Sequence, residues 1–134
     1  MVKIIQGHRL TERVIFTGKI LESERPQYLY QGAAVFVMPT LYEGFGIPPL
    51  EAMACGVPVI ASRLTSMPEI VGEAGILVDP SNASEIADAI KKILQDPVFK
   101  KDLISKGFKR ARNYETEKVA QEMYDFLKTV EGHP

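Results

Sequence analysis

The sequence predicts an α/β fold: a Rossmann-like parallel sheet of about four strands with flanking helices and a helical C-terminal tail. Three observations lead there. Short apolar runs rich in Val, Ile and Phe recur without in/out alternation, the pattern of strands buried on both faces of a parallel sheet. Amphipathic segments separate these runs. From about residue 84 to residue 131 the pattern is helical only. The 134 residues make one domain, 1–134, able to bury a core without staples. No repeat, linker or low-complexity tract interrupts it.

The elements follow in order. Met1–Leu10 reads as the end of a helix leading into TERVIFTG. Val14–Thr17 (VIFT) is a first strand, closed by Gly18, and Pro26–Ala33 is a short helix. Val35–Met38 (VFVM) is a second strand, ending at Pro39-Thr40. Pro49–Cys55 is helical: prolines suit its first turn, and Gly56 suits its C-terminal stop. Val57–Ala61 (VPVIA) is a third strand, ended by Ser62. Met67–Val71 is one turn with Ser66 as N-cap. Gly75–Val78 (GILV) is the fourth strand, closed by Asp79-Pro80. Ser81 or Ser84 caps Glu85–Gln95, where Ile86, Ala89, Ile90 and Ile93 share one face. Phe99–Asn113 and Glu117–Val130 complete the helical part, the latter striped by Val119, Met123, Phe126, Leu127 and Val130.

Bulk properties narrow the function. A net charge of −1 offers no electrostatic attraction for nucleic acid or anionic lipid. No apolar stretch approaches the roughly 18 residues of a transmembrane helix, and no signal-peptide h-region opens the chain. The single cysteine, Cys55, forbids an internal disulfide and reads as a small buried hydrophobe in a reducing compartment. A cytoplasmic location is therefore expected.

The stretch PTLYEGFGIPPLEAMACG (39–56) carries the chemistry. In open α/β sheets ligands bind outside the carboxyl ends of strands, where loops meet helix N-termini. Glu43, Gly44, Phe45, Gly46 and Ile47 occupy that place after VFVM. Gly44 and Gly46 let the backbone approach a ligand closely, and amides of residues 44–47 are donors for hydroxyls or phosphate oxygens. Pro48 and Pro49 lack N–H groups. Glu51 lies in the first helical turn, and its side chain leans back toward the loop. Two acceptor-only carboxylates suit a neutral polyol and suit a bare phosphate poorly. Metal binding is disfavoured, because no further Asp or His joins the pair. Spacing alone means little in a glutamate-rich chain. The residues between the pair, and their place after a strand, carry the signal.

Other candidates have plainer readings. Tyr28, Tyr30 and Phe36 read as core rather than base-stacking groups, and Phe45 as packing of its own loop. Arg63 follows a strand's carboxyl end and reads as a solvated loop residue. Glu69 is balanced between a surface acid and a capping or site-lining role. His8 and His133 read as solvated, and KKILQDPVFKKD as a solvated helical face.

EGFGIPPLE, followed by AMACGVPVIAS and SMPEIVGEAGILVDP, with VIFTGKI and LYQGAAVFVMPT before it, closely resembles the nucleotide-sugar half of retaining glycosyltransferases. The family is the glycogen-synthase-like/mannosyltransferase group, with the B-type two-domain fold and its E-x7-E motif. The likeness runs from about Arg13 to Tyr124. The resemblance implies that Glu43 binds donor-sugar hydroxyls and supports positive charge developing at the anomeric carbon. Gly44, Phe45 and Gly46 present amides to the sugar, and Ile47 to the distal phosphate. Glu51 holds the ribose diol, and Lys19 and Ile20 flank the base. The implied reaction is transfer of a hexosyl group, mannose above all, from GDP- or UDP-hexose to an acceptor hydroxyl with retention. It implies no cofactor and no metal. The variants LYEGFG and TSMPEIVGEAG look most like mannosyltransferases of lipopolysaccharide or capsule assembly.

The chain also departs from the family pattern. The two strands that normally open this domain, whose loops supply Arg and Lys to the diphosphate, are not matched, and neither is the N-terminal acceptor domain. In the order 3-2-1-4-5-6 the unmatched strands lie between VIFT and VFVM. The expectation is an incomplete half of a two-domain fold, inactive in isolation, with exposed sheet edges that pair between copies as a homo-oligomer. The alternative is a non-catalytic nucleotide-sugar-binding module or one chain of a split transferase.

Overall fold

The computed structural model describes residues 2–20 and 27–131. Three of the apolar runs become strands: Phe36–Met38 (β1), Val59–Ser62 (β2) and Gly75–Val78 (β3). They form one sheet in the order β1-β2-β3. Both pairs are parallel, with Val37 beside Ile60 and Ile60 beside Ile76. Among the described residues there are also seven α-helices: Val2–Gly7 (α1), Gln27–Gly32 (α2), Ile47–Ala54 (α3), Met67–Val71 (α4), Ala83–Gln95 (α5), Pro97–Arg112 (α6) and Thr116–Glu131 (α7).

β2 is buried along its whole length, which explains its unbroken hydrophobicity. Successive strand residues point to opposite faces, and each face has its own core. Val59 and Ala61 join Leu50 and Met53 of α3 and Met67 and Ile70 of α4. Ile60 joins Val78, Ala89 and Ile93 of α5, and Leu103 of α6. Each fully buried aliphatic side chain contributes about 1.5–3 kcal/mol. α6 also ties the two sides together: Arg110 Nε donates to the Ile70 carbonyl at 2.9 Å, and its Nη2 to the Glu69 carbonyl. These carbonyls lie near the C-terminal end of α4, where a cation is favoured.

The predicted strands at VFVM, VPVIA and GILV are present, within two residues at their ends. The strand predicted at Val14–Thr17 is not: the segment joins no sheet, with Ile15 and Phe16 86% and 62% exposed. Extended preference is local, whereas a strand needs a second backbone to pair with its N–H and C=O groups. Among the described residues the sheet therefore has three strands rather than about four, with β1 and β3 at its edges.

Helix ends differ in instructive ways. α3 starts two residues earlier than expected, at Ile47, so that its prolines fall inside the first turn. α5 is capped by Asn82, whose side chain accepts from Glu85 N at 3.1 Å, and not by Ser81 or Ser84. Asp96 caps α6 in the same way, accepting from Phe99 N at 2.9 Å. Ser66 makes no side-chain cap for α4. α7 forms, but its stripe stays open, with Met123 and Phe126 61% and 65% exposed. Periodicity says which residues share a face, not whether anything covers it. Tyr30 and Phe36 pack against the core as expected, whereas Tyr28 is exposed. Met1, Pro26 and His133, and the side chain of Val130, lie outside the described residues.

Replacing Ile15 and Phe16 by Ser is expected to leave unfolding stability within about 0.5 kcal/mol. Ile60→Ala, in the fully buried central strand, is expected to cost about 2–5 kcal/mol. Urea denaturation of the two variants beside the parent chain checks both.

Candidate functional site

The chain leaves β1 at Met38 and turns through Pro39 and Thr40, where Thr40 Oγ1 donates to the Tyr42 carbonyl at 2.7 Å. Glu43 follows, its Oε1 accepting from the Gly44 amide at 3.1 Å. The loop is then held from across the fold. The Ser66 hydroxyl reaches the Phe45 carbonyl at 2.9 Å and the Glu43 carbonyl at 3.1 Å. Two backbone acceptors are thus fixed by one side chain beside α4. Phe45 stacks edge-on against Tyr114, with ring centroids 5.9 Å apart, which is the packing role expected of it.

Gly46 closes the loop and opens α3. Its φ of +106° is a conformation that side-chain-bearing residues rarely adopt. A Cβ there would lie 2.2 Å from Met67 Cε, and Met67 is itself fully buried. Gly44 has no such constraint, since a Cβ at that position meets nothing within 4 Å. The two glycines of EGFG therefore do different work. One is demanded by the fold, and the other leaves an open approach to the backbone.

On α3, Glu51 Oε2 accepts a hydrogen bond of 2.8 Å from the Tyr30 hydroxyl of α2. The Tyr30 ring sits edge-on to Phe36, with centroids 5.7 Å apart. Burial, chiefly, and then the hydrogen bond and charge of Glu51, push the Tyr30 hydroxyl up to about 12. An apolar groove of about 690 Å³ runs between α3 and the α6–α7 corner, lined by Phe45, Ile47, Leu50, Glu51, Tyr114 and Met123 among others. A smaller cavity of about 230 Å³ lies between Gln27, Tyr30, Glu51, Ala54 and Cys55.

The structure thus brings Phe45, Ile47 and Glu51 to one groove, with Glu43, Gly44 and Gly46 on the loop that leads into it. Lys19 and Ile20 lie on the irregular segment after Val14–Thr17 and do not line this groove. Arg63 is exposed, as expected of a solvated loop arginine, and is also paired with Glu85, whose other oxygen accepts from the Asp79 amide at 3.1 Å. Cys55 is half-buried beside the smaller cavity. Among the described residues no three His, Cys, Asp or Glu side chains cluster as a metal site, and no helix is long and apolar enough to cross a membrane. Tyr30, Ser66 and Tyr114 escaped sequence reasoning as site residues. Their partners lie 21 or more residues away, and no local periodicity reports such pairs.

Comparison with known proteins supplies an independent line. The family described as Glycosyl transferases group 1 matches residues 2–96. O-antigen chain mannosyltransferase B of Escherichia coli is 39% identical over 115 residues, covering 86% of this chain and 30% of that protein. MMP alpha-(1->4)-mannosyltransferase of Mycolicibacterium hassiacum is 37% identical over 101 residues, 73% of this chain and 25% of that one. Among solved structures, sucrose-phosphate synthase of Thermosynechococcus elongatus superposes with a TM-score of 0.84 at 36% identity, covering 96% of this chain and 33% of that chain. This chain thus spans a third or less of the length of these relatives.

Two outcomes are expected. Gly46→Ala costs about 1–3 kcal/mol of stability, whereas Gly44→Ala changes it by no more than about 0.5 kcal/mol; thermal melts compare them. Tyr30 ionises at about 12, against about 10 for an unfolded tyrosine. Any stability tied to its protonated form is thus complete below about pH 10 and is lost as pH rises from there toward 12. Ultraviolet difference titration, compared with Tyr30→Phe, is expected to show the Tyr30 ionisation late, lowered in Glu51→Gln but still above the ordinary value because burial remains.

Proposed function

Because the chain belongs to the group 1 glycosyl transferases, we propose that it supplies the donor-binding half of a retaining hexosyltransferase. Mannose, carried on a nucleoside diphosphate, is the sugar best supported, since two of its relatives are mannosyltransferases. The observation that carries the reading is the Glu43–Glu51 turn itself. It lies at the carboxyl end of a parallel strand, runs through a positive-φ glycine, and opens a helix whose second turn, not its first as expected, carries a second carboxylate. This is where open α/β sheets bind ligands.

Glu43 accepts from donor-sugar hydroxyls and supports the positive charge that develops at the anomeric carbon. In the free chain its carboxylate accepts from the Gly44 amide, so sugar binding would exchange that local contact for contacts to the ligand. Gly44, Phe45 and Gly46 offer amides to the sugar and Ile47 to the distal phosphate, aided by the α3 dipole. Glu51 takes the ribose diol, and Lys19 and Ile20 flank the base. The turn brings acceptors and amides but no cation for the diphosphate, and Arg63 is paired with Glu85. Donor binding without turnover is therefore proposed for this chain alone. Transfer to the acceptor hydroxyl, with retention and without a metal, would use further groups from an acceptor-binding unit.

Calorimetric titration with GDP-mannose, GDP, UDP-glucose and UDP tests the reading. One nucleotide series should bind selectively, and Glu51→Ala should weaken both members of that series about tenfold or more, the worth of a charge-assisted hydrogen bond. Glu43→Gln should weaken the nucleotide sugar while sparing the nucleoside diphosphate. Absence of binding to all four, or transfer at ordinary enzymatic rates by this chain alone, contradicts it.

A further inference from the structure

Glu51 lines both the groove and the smaller cavity, and so forms part of the wall between them. The Tyr30 hydroxyl reaches it from the smaller cavity, at 2.8 Å from Oε2. A glutamate near the start of a helix has three side-chain torsions and, left alone, spreads over many rotamers. A tyrosine has two torsions, and this one is held by Phe36 and by the core on which α2 rests. The rigid partner therefore sets the position of the flexible one.

Resting on the donor-binding reading above, we propose that Tyr30 is the positioning residue for ribose recognition: it holds Glu51 by one oxygen so that the carboxylate faces the vicinal diol of the nucleotide. A carboxylate has about four acceptor sites, so a single bond from Tyr30 leaves capacity for both ribose hydroxyls. The bond is charge-assisted and of ordinary length, 2.8 Å. Its donor proton is retained across the physiological range, because the Tyr30 hydroxyl ionises only at about 12. α2 thereby acquires a function. This six-residue helix carries the group that orients the acceptor on α3.

The test compares ribose with deoxyribose. The parent chain, Tyr30→Phe, Glu51→Gln and the double variant are titrated by calorimetry with UDP and 2′-deoxy-UDP, and with GDP and 2′-deoxy-GDP. The parent is expected to prefer the ribose form. Tyr30→Phe should cut that preference about tenfold, with a smaller loss for the deoxy form, which keeps its 3′-hydroxyl on Glu51. Glu51→Gln should abolish the preference, and adding Tyr30→Phe to it should change nothing further, as coupled partners require. Thermal melts of the same samples check that Tyr30→Phe, which removes one oxygen, is folded. An undiminished ribose preference in Tyr30→Phe overturns the proposal while leaving the role of Glu51 intact. Equal weakening of both sugar forms also overturns it, since that marks a merely structural tyrosine. A parent chain without ribose preference overturns the reading of Glu51 itself.

Discussion

The site depends on a close approach. The loop that follows β1 runs against the start of α4, and at Gly46 there is no room for a side chain above Met67 Cε. The Ser66 hydroxyl, one residue before that methionine, grips the loop by the Glu43 and Phe45 carbonyls. This contact acts with the prolines of the first turn to fix where α3 begins. The first residue of α3 in turn determines which helical face carries Glu51 and how far it lies from Glu43. A backbone constraint at one glycine therefore propagates into the placement of two carboxylates.

The scaffold behind the loop explains why that placement is stable. β2 is buried on both faces, so each neighbouring strand and helix packs on a fixed centre. α6 links the two faces. Leu103 joins the core on one side, and Arg110 holds the end of α4 on the other. Tyr114, just beyond α6, supports Phe45 and approaches the Arg110 guanidinium. The loop is thus braced from α4 and from the α6–α7 corner, both outside the strand and helix that it joins.

The turn is one-sided in its chemistry. It offers acceptors for hydroxyls and backbone donors for oxygens, a set suited to the sugar and ribose of a nucleotide sugar. Arg63, which follows the end of β2, is held by Glu85. A chain spanning a third or less of its relatives' length would, on the proposed function, share its chemistry with groups elsewhere.

The sequence by itself determined the α/β class, three of the four anticipated strands, every helix longer than eight residues to within a few positions, and the stretch that carries the candidate site. Those properties are local: β-branched runs, caps and 3.6-residue periodicity act over a handful of neighbours. Tertiary structure decided the rest. Residues 14–17 have the composition of a strand and remain exposed, because pairing depends on what lies alongside. Ser66 looked like a cap and serves as a clasp on a loop some twenty residues earlier. Tyr30 looked like core and also holds the Glu51 carboxylate. Composition can say that a hydroxyl is available. Only folding decides which acceptor comes within 3 Å of it, because contacts between distant residues are settled by the packing of whole elements.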